Sequence, residues 1–172
     1  MKTNELIEPF ERLLADLVTP NEIRRIERDG SAAELWRSLQ ESGFLDALVP
    51  ESAGGAGLSL ADIAPLLHAL GRHLVPVPVA HTMVARALLA QAGLSWPEQP
   101  IVLTSSTRTA EGWQQQSVPM AAAAEYLLTE CGDELILLNR SQFRATSTGV
   151  HASQAAHLDW LGPASSAPRV RA

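Results

Sequence analysis

The residues of this chain whose types could do chemistry are five histidines, one cysteine, a short run of hydroxyls and a glycine-rich segment. The histidines are His68, His73, His81, His151 and His157. A metal pair on one helix needs imidazoles four apart; His68 and His73 are five apart and leave different faces. His73 and His81 are separated by two prolines, and no HExxH pattern occurs. The spacing therefore points to solvated or helix-end histidines, with Arg72 and His73 well placed for the negative end of a helix dipole. Cys131 is the single cysteine, which excludes an intramolecular disulfide and a multi-thiolate metal site. Its context, TECGDE, surrounds it with acids that suppress the thiolate a nucleophile requires. It reads as a small residue before a turn.

The hydroxyls of residues 105–109, SSTRT, have no local base or orienting acid, and GxSxG is absent. Gly54, Gly55 and Gly57 read GGxG, which is neither the P-loop nor the dinucleotide GxGxxG and follows a loop rather than a strand. The three glycines supply φ freedom to a turn, and Ser59 caps the helix that follows. Glu130 and Asp133 flank a turn as solvated carboxylates. Trp36, Trp96, Trp113 and Trp160 read as core anchors rather than stacking platforms. These motifs assign no catalytic residue and no metal ligand.

The elements that must position these groups follow from periodicity. With 172 residues, 46% apolar and 19% charged, the chain can bury a real core. A formal net charge of -6 argues against a general attraction for nucleic acid. Arg24, Arg25 and Arg28 read as a solvated helix face, and Arg169 with Arg171 as a loose tail. No signal peptide is visible and no apolar run approaches the ~20 residues of a membrane span, so the expected location is cytoplasmic.

Leu6, Phe10, Leu13, Leu14 and Leu17 repeat at three and four, predicting a helix with Pro9 in its first turns. A second helix is predicted from Pro20 to Gly30. A third starts at Ser31, read as an N-cap with Glu34 three residues on, and stops at Gly43. Ser59 and Asp62 form a capping-box pattern for a fourth, kinked at Pro65 and ending near His73. HLVPVPV is an extended connector to a fifth helix over about 78–93. From SWPEQP onward the period changes to short apolar runs between turn signals, with Glu125–Glu130 and Glu134–Asn139 as hairpin arms. The fold class is α+β: an N-terminal all-α bundle over 1–96, then a small, incomplete antiparallel β-domain over 97–172. So few strands leave an exposed sheet edge, which suggests a partner or a continuation.

The stretch WRSLQESGFLDALVPESAGGAGLSLADIAPLLHALGRHLVPVPV resembles the N-terminal helical domain of the acyl-CoA dehydrogenase family. Trp36, Leu39, Glu41 and Gly43 match its W..L.E.G helix, and Val49, Pro50 and Glu51 its V-P-E run. Gly54, Gly55, Gly57, Leu58 and Ser59 match its glycine loop, Leu70, Gly71 and Arg72 its L-G-R helix end, and Pro76 and Pro78 its P-V-P connector. The resemblance covers residues 1 to about 95. More weakly, IVLT at 101–104 resembles the family's A-L-T-E strand, and AAAAEYLLTECGDELILL its middle-domain hairpin.

The resemblance implies FAD, an acyl-CoA substrate and α,β-dehydrogenation, with a glutamate taking the α proton and flavin N5 the β hydride. It also implies a C-terminal four-helix domain that carries the catalytic glutamate; this sequence ends within the middle domain, and no position here inherits that role. The family's flavin loop T-E-x-x-x-G-S-D reads T-S-S-T-R-T here, and QQQSVPMAAAAEY replaces its tryptophan-then-Thr/Ser contact. Thr104, Ser105 and Ser106 are the cofactor-binding positions the resemblance offers. The expectation is a fragment or subunit of a FAD-dependent oxidoreductase, inactive alone and oligomeric with an acyl-CoA dehydrogenase subunit. The alternative is a non-catalytic partner subunit that has lost flavin binding, similar to flavin-poor partners in dehydrogenases of bulky acyl-CoA substrates such as steroid side-chain thioesters. An unrelated helical binding protein is the third reading.

Overall fold

A computed structural model describes residues 2–148, 154–161 and 168–171. Five helices come first: α1 (Lys2–Leu17), α2 (Pro20–Asp29), α3 (Ala33–Glu41), α4 (Leu60–Arg72) and α5 (Val79–Gln91). Among the described residues eight strands follow: β1 (Ile101–Thr104), β2 (Thr107–Arg108), β3 (Trp113–Val118), β4 (Tyr126–Cys131), β5 (Glu134–Asn139), β6 (Arg144–Ser147), β7 (Ala156–Trp160) and β8 (Arg169–Arg171). The architecture is α+β.

Local sequence sets most helix ends. The Glu22 N–H donates to the Thr19 hydroxyl at 3.2 Å, and Gly30 closes α2 in the left-handed region with φ 70°. Ser59 and Asp62 complete the capping box of α4, the Ser59 N–H donating to Asp62 Oδ2 at 2.9 Å. Two helix expectations are corrected. Pro9 lies in the interior of α1, because the helix already begins at Lys2, and it is exposed to solvent there. Ser31 does not cap α3. The helix starts two residues later, so Ala32 occupies the cap position without a side-chain bond and Glu34 falls one position early for a box.

Between α3 and α4 the glycine segment is tightly folded. Val49 O accepts from the Gly57 N–H at 2.8 Å and Ala47 O from the Leu58 N–H at 2.9 Å. Gly54 and Gly57 have positive φ, but Gly55 does not. A Cβ at Gly55 would run into the backbone carbonyls of Val49 and Asp46, so close approach, not φ, requires glycine there.

The helical core gathers Phe10, Leu14, Ile26, Leu39, Ile63, Leu66 and Met83, with Phe10 and Phe44 tilted at 4.7 Å between centroids. Helix α5 is buried on two faces. Met83 joins that core, while Ala85 and Leu89 pack on Ile101, Leu128 and Leu137 of the first sheet. That sheet has the order β1-β4-β5-β8 and the second β2-β3-β7-β6, with Val102, Leu127, Ile136, Leu158 and Trp160 among the residues packed between them.

Pairing is antiparallel except that β1 runs parallel to β4, Ile101 facing Tyr126. The chain visits the second sheet between these strands, so no tight turn forces them antiparallel. The arginine tail is also corrected: residues 169–171 form β8 on β5, and Arg169 reaches the Glu134 carboxylate at 3.1 Å. Nor is the β1 edge bare. Thr82 donates its hydroxyl to Ile101 O and accepts from the Ile101 N–H, both at 3.0 Å; His81 Nδ1 lies 3.0 Å from Leu103 O and 3.3 Å from Leu103 N. Helix side chains thus replace the missing neighbour strand.

Candidate functional site

The junction of the two halves is built around Arg86. It sits within the apolar run VARALL of α5 and its side chain is 1% exposed. Its guanidinium donates to Asp46 Oδ1 at 2.9 Å, Gln40 Oε1 at 2.5 Å, and the Pro97 and Glu98 carbonyls at 3.3 and 3.2 Å. Trp36 adds a bond from its indole N–H to Glu98 O at 2.9 Å. Five donors in a planar fork suit a job that needs several acceptors from different segments. Arg86 was legible only as a charge in an otherwise apolar helix.

Near the start of α5 lies an apolar cavity of about 530 Å³. The end of α4, the connector and the start of α5 give it Leu70, Leu74, Val75, Val77 and His81; the loop after β3 gives it Pro119 and Met120. Leu74 and Met120 are both left-handed, with φ 52° and 58°, although neither is glycine. Such backbone strain concentrates where a fold shapes a ligand site. A mainly apolar wall with few polar groups is the usual character of a small-molecule pocket. A larger open groove of about 1150 Å³ runs along the second sheet past Trp113, Arg140, Arg144, His157 and Asp159. Its charges are of mixed sign, and it converges on no single chemistry.

The three positions offered for a cofactor lie at the carboxyl end of β1. Thr104 is half-buried and level with Thr129 of β4, Ser105 is exposed, and Ser106 donates its hydroxyl to Glu130 O at 2.5 Å. None of the three lines either cavity. One hydroxyl is engaged with backbone, and the neighbouring cation in sequence, Arg108, lies over Trp113 at 6.0 Å. By themselves they do not fit a group as large as FAD. Trp113 begins β3 and is half-buried, and Trp36 and Trp160 are buried.

The histidines do not converge. His68 is exposed on α4, His73 is its C-cap, His81 faces β1, and His157 accepts from the Ser117 N–H at 3.2 Å; His151 lies outside the described residues. Among the described residues no three His, Cys, Asp or Glu side chains are grouped to hold a metal. Cys131 is half-buried at the end of β4, opposite Glu134. No described helix is long and apolar enough to cross a membrane.

The fold and the ordered helical motifs define one family. The profile of the acyl-CoA dehydrogenase N-terminal domain matches residues 2–96, and the chain belongs to the acyl-CoA dehydrogenase family. It is 42% identical over 69 residues to acyl-CoA dehydrogenase IpdE2 of Mycolicibacterium smegmatis, an alignment covering 40% of this chain and 22% of the relative. The ChsE4-ChsE5 complex of Mycobacterium tuberculosis contains a chain with the same fold, at TM-score 0.75 and 22% identity over 98% of this chain and 56% of that one. The Tcur3481-Tcur3483 steroid ACAD G363A variant is similar at TM-score 0.70 and 24% identity, over 99% of this chain and 56% of that one. The chain thus spans about half the length of these solved chains.

Proposed function

We propose that this chain supplies the helical domain, residues 1–96, and a shortened middle β-domain, residues 97–172, to a cytoplasmic, FAD-dependent acyl-CoA dehydrogenase assembly. In that assembly an α,β double bond is introduced into an acyl-CoA thioester. The observation that carries this reading is the apolar cavity: most of its wall comes from residues 67–81, inside the family-matched segment. An acyl group needs such a surface, and its removal from water supplies about 0.8 kcal/mol per buried CH₂. Thr104, Ser105 and Ser106 then form one edge of a flavin site that a second polypeptide segment completes. Likeness to chains of the ChsE4-ChsE5 complex and of the Tcur3481-Tcur3483 steroid ACAD favours an oligomer with a longer acyl-CoA dehydrogenase subunit.

The chain by itself is expected to turn over no acyl-CoA. The test is an assay of the purified 172-residue chain with octanoyl-CoA and a steroid side-chain thioester, using ferrocenium as electron acceptor. Turnover by the chain alone overturns the proposal. Activity and absorbance near ~450 nm that appear only after co-expression with a longer acyl-CoA dehydrogenase subunit support it. A second reading, a partner subunit without flavin, is favoured by the engagement of Ser106 with Glu130 O. It predicts a colourless chain that still co-purifies with that subunit.

A further inference from the structure

The strand that leads into the cavity wall is irregular at one point. In β3, Gln115 faces Leu158 and Val118 faces Ala156, so Gln116 and Ser117 together oppose the single residue His157 of β7. This is a β-bulge, with Ser117 at φ 50°. Its N–H has left the ladder and donates to His157 Nδ1 at 3.2 Å. Two residues later Pro119 and Met120 (φ 58°) form the β-domain side of the apolar cavity. The ring opposite the bulge therefore fixes where the strand turns toward that wall.

We infer that His157 is a positioning residue for the Pro119–Met120 wall, and that it holds the wall only while its ring is neutral. An imidazole nitrogen accepts a hydrogen bond only when it carries no proton; in the imidazolium both nitrogens are donors. Protonation sets the His157 Nδ1–H against the Ser117 N–H, and the left-handed Ser117 loses its partner. The groups sharing this sheet face are Asp159 on β7, Thr146 and Arg144 on β6, and Gln114 on β3, and Glu111 and Arg140 line the same groove, so acids and bases both surround the ring. The short helical turn Ala121–Ala123, which also packs here, brings no titratable side chain.

The inference deepens the reading of the cavity as a ligand site, and its test has one arm that does not need that reading. In the full chain, amide exchange at Ser117, corrected for the chemical rate, is expected to be about fivefold faster at pH 5 than at pH 8, the worth of one ordinary hydrogen bond. His157→Asn keeps an acceptor near the Nδ1 position and does not titrate, so its Ser117 amide should stay protected at both values. His157→Phe should be unprotected at both. Equal protection at pH 5 and 8 in the native chain, or a pH dependence that survives in His157→Asn, overturns the inference. In the second arm, anilinonaphthalene sulfonate is titrated into the same proteins. Weaker binding at pH 5 that disappears in His157→Asn ties the bulge to the cavity. Dye binding independent of pH, with the Ser117 amide still switching, refutes only the coupling to the cavity. Pantetheine thioesters that fail to bind while the amide still switches count against the proposed function and leave the positioning role standing.

Discussion

The two halves of this molecule close themselves in different ways. The helical half closes locally. Thr19 reaches Glu22, Ser59 and Asp62 cap each other, and the glycine segment bonds to the turn just upstream of it, from Asp46 to Pro50. The strand half closes at a distance. The edge of β1 is satisfied by Thr82 and His81, and its outer core is completed by Ala85 and Leu89, all from α5. One helix therefore belongs to both cores. The lesson is that the β-domain should depend on α5 far more than the helices depend on their own caps.

Arg86 is the place to try to break that asymmetry. Arg86→Ala removes the donor to Asp46, Gln40 and two carbonyls of the 97–98 segment and leaves a void at a fully buried site. Asp46 is partly exposed and water can take over its charge, so the cost is that of truncating a large buried side chain, about 2–5 kcal/mol. The expected result of urea unfolding is a loss of about 3 kcal/mol, with helical and strand signals lost together. Strand signals that keep their native midpoint would show that the β-domain stands without α5.

Thr82→Val tests the same dependence one bond at a time. The hydroxyl is the partner of both backbone groups of Ile101, and valine fills its space without serving either. A buried polar group left unpaired costs about 1–3 kcal/mol, so the expected loss is about 2 kcal/mol. Faster exchange should be confined to the β1 amides, read by hydrogen exchange. An unchanged β1 would mean that water has taken the place of the hydroxyl.

The same division explains what the sequence disclosed. Caps, stops and apolar stripes act within four residues, and Thr19, Gly30 and the Ser59–Asp62 pair could be placed or bracketed from local pattern. Ser31 misled because a capping box is a pattern before it is a contact, and the helix began too late to make it. Gly55 looked like its neighbours, yet its need for glycine comes from carbonyls at 46 and 49 that only the folded loop brings near. β8, the parallel pair of β1 and β4, the side-chain partners of Arg86 (Asp46 and Gln40), and the partners of His81 and His157 all join residues 22 or more apart. No local period encodes such meetings. The candidate site was legible as a family resemblance along residues 36–78, whereas its cavity emerged only when 119–120 met 67–81.

The smallest effect should lie in the locally closed half. Arg25 donates to Glu22 through Nε at 2.9 Å and Nη2 at 2.6 Å, and this bond holds the Glu22 carboxyl below the ordinary glutamate range, partly offset by desolvation. A carboxyl depressed in the folded state contributes stability above its unfolded pKa of about 4.3 and loses it as the pH falls through the folded value. The pair is an exposed i, i+3 contact on α2, for which about 0.3 kcal/mol is usual. Glu22→Gln should therefore shift the urea midpoint barely at pH 7, and the difference should fade as the pH falls through the depressed folded value, below which both proteins carry a neutral side chain. A difference that does not shrink with falling pH would assign the effect to packing of the glutamate stem. One above about 1 kcal/mol at pH 7, the usual ceiling for exposed pairs, would show that local contacts matter as much as the α5 junction.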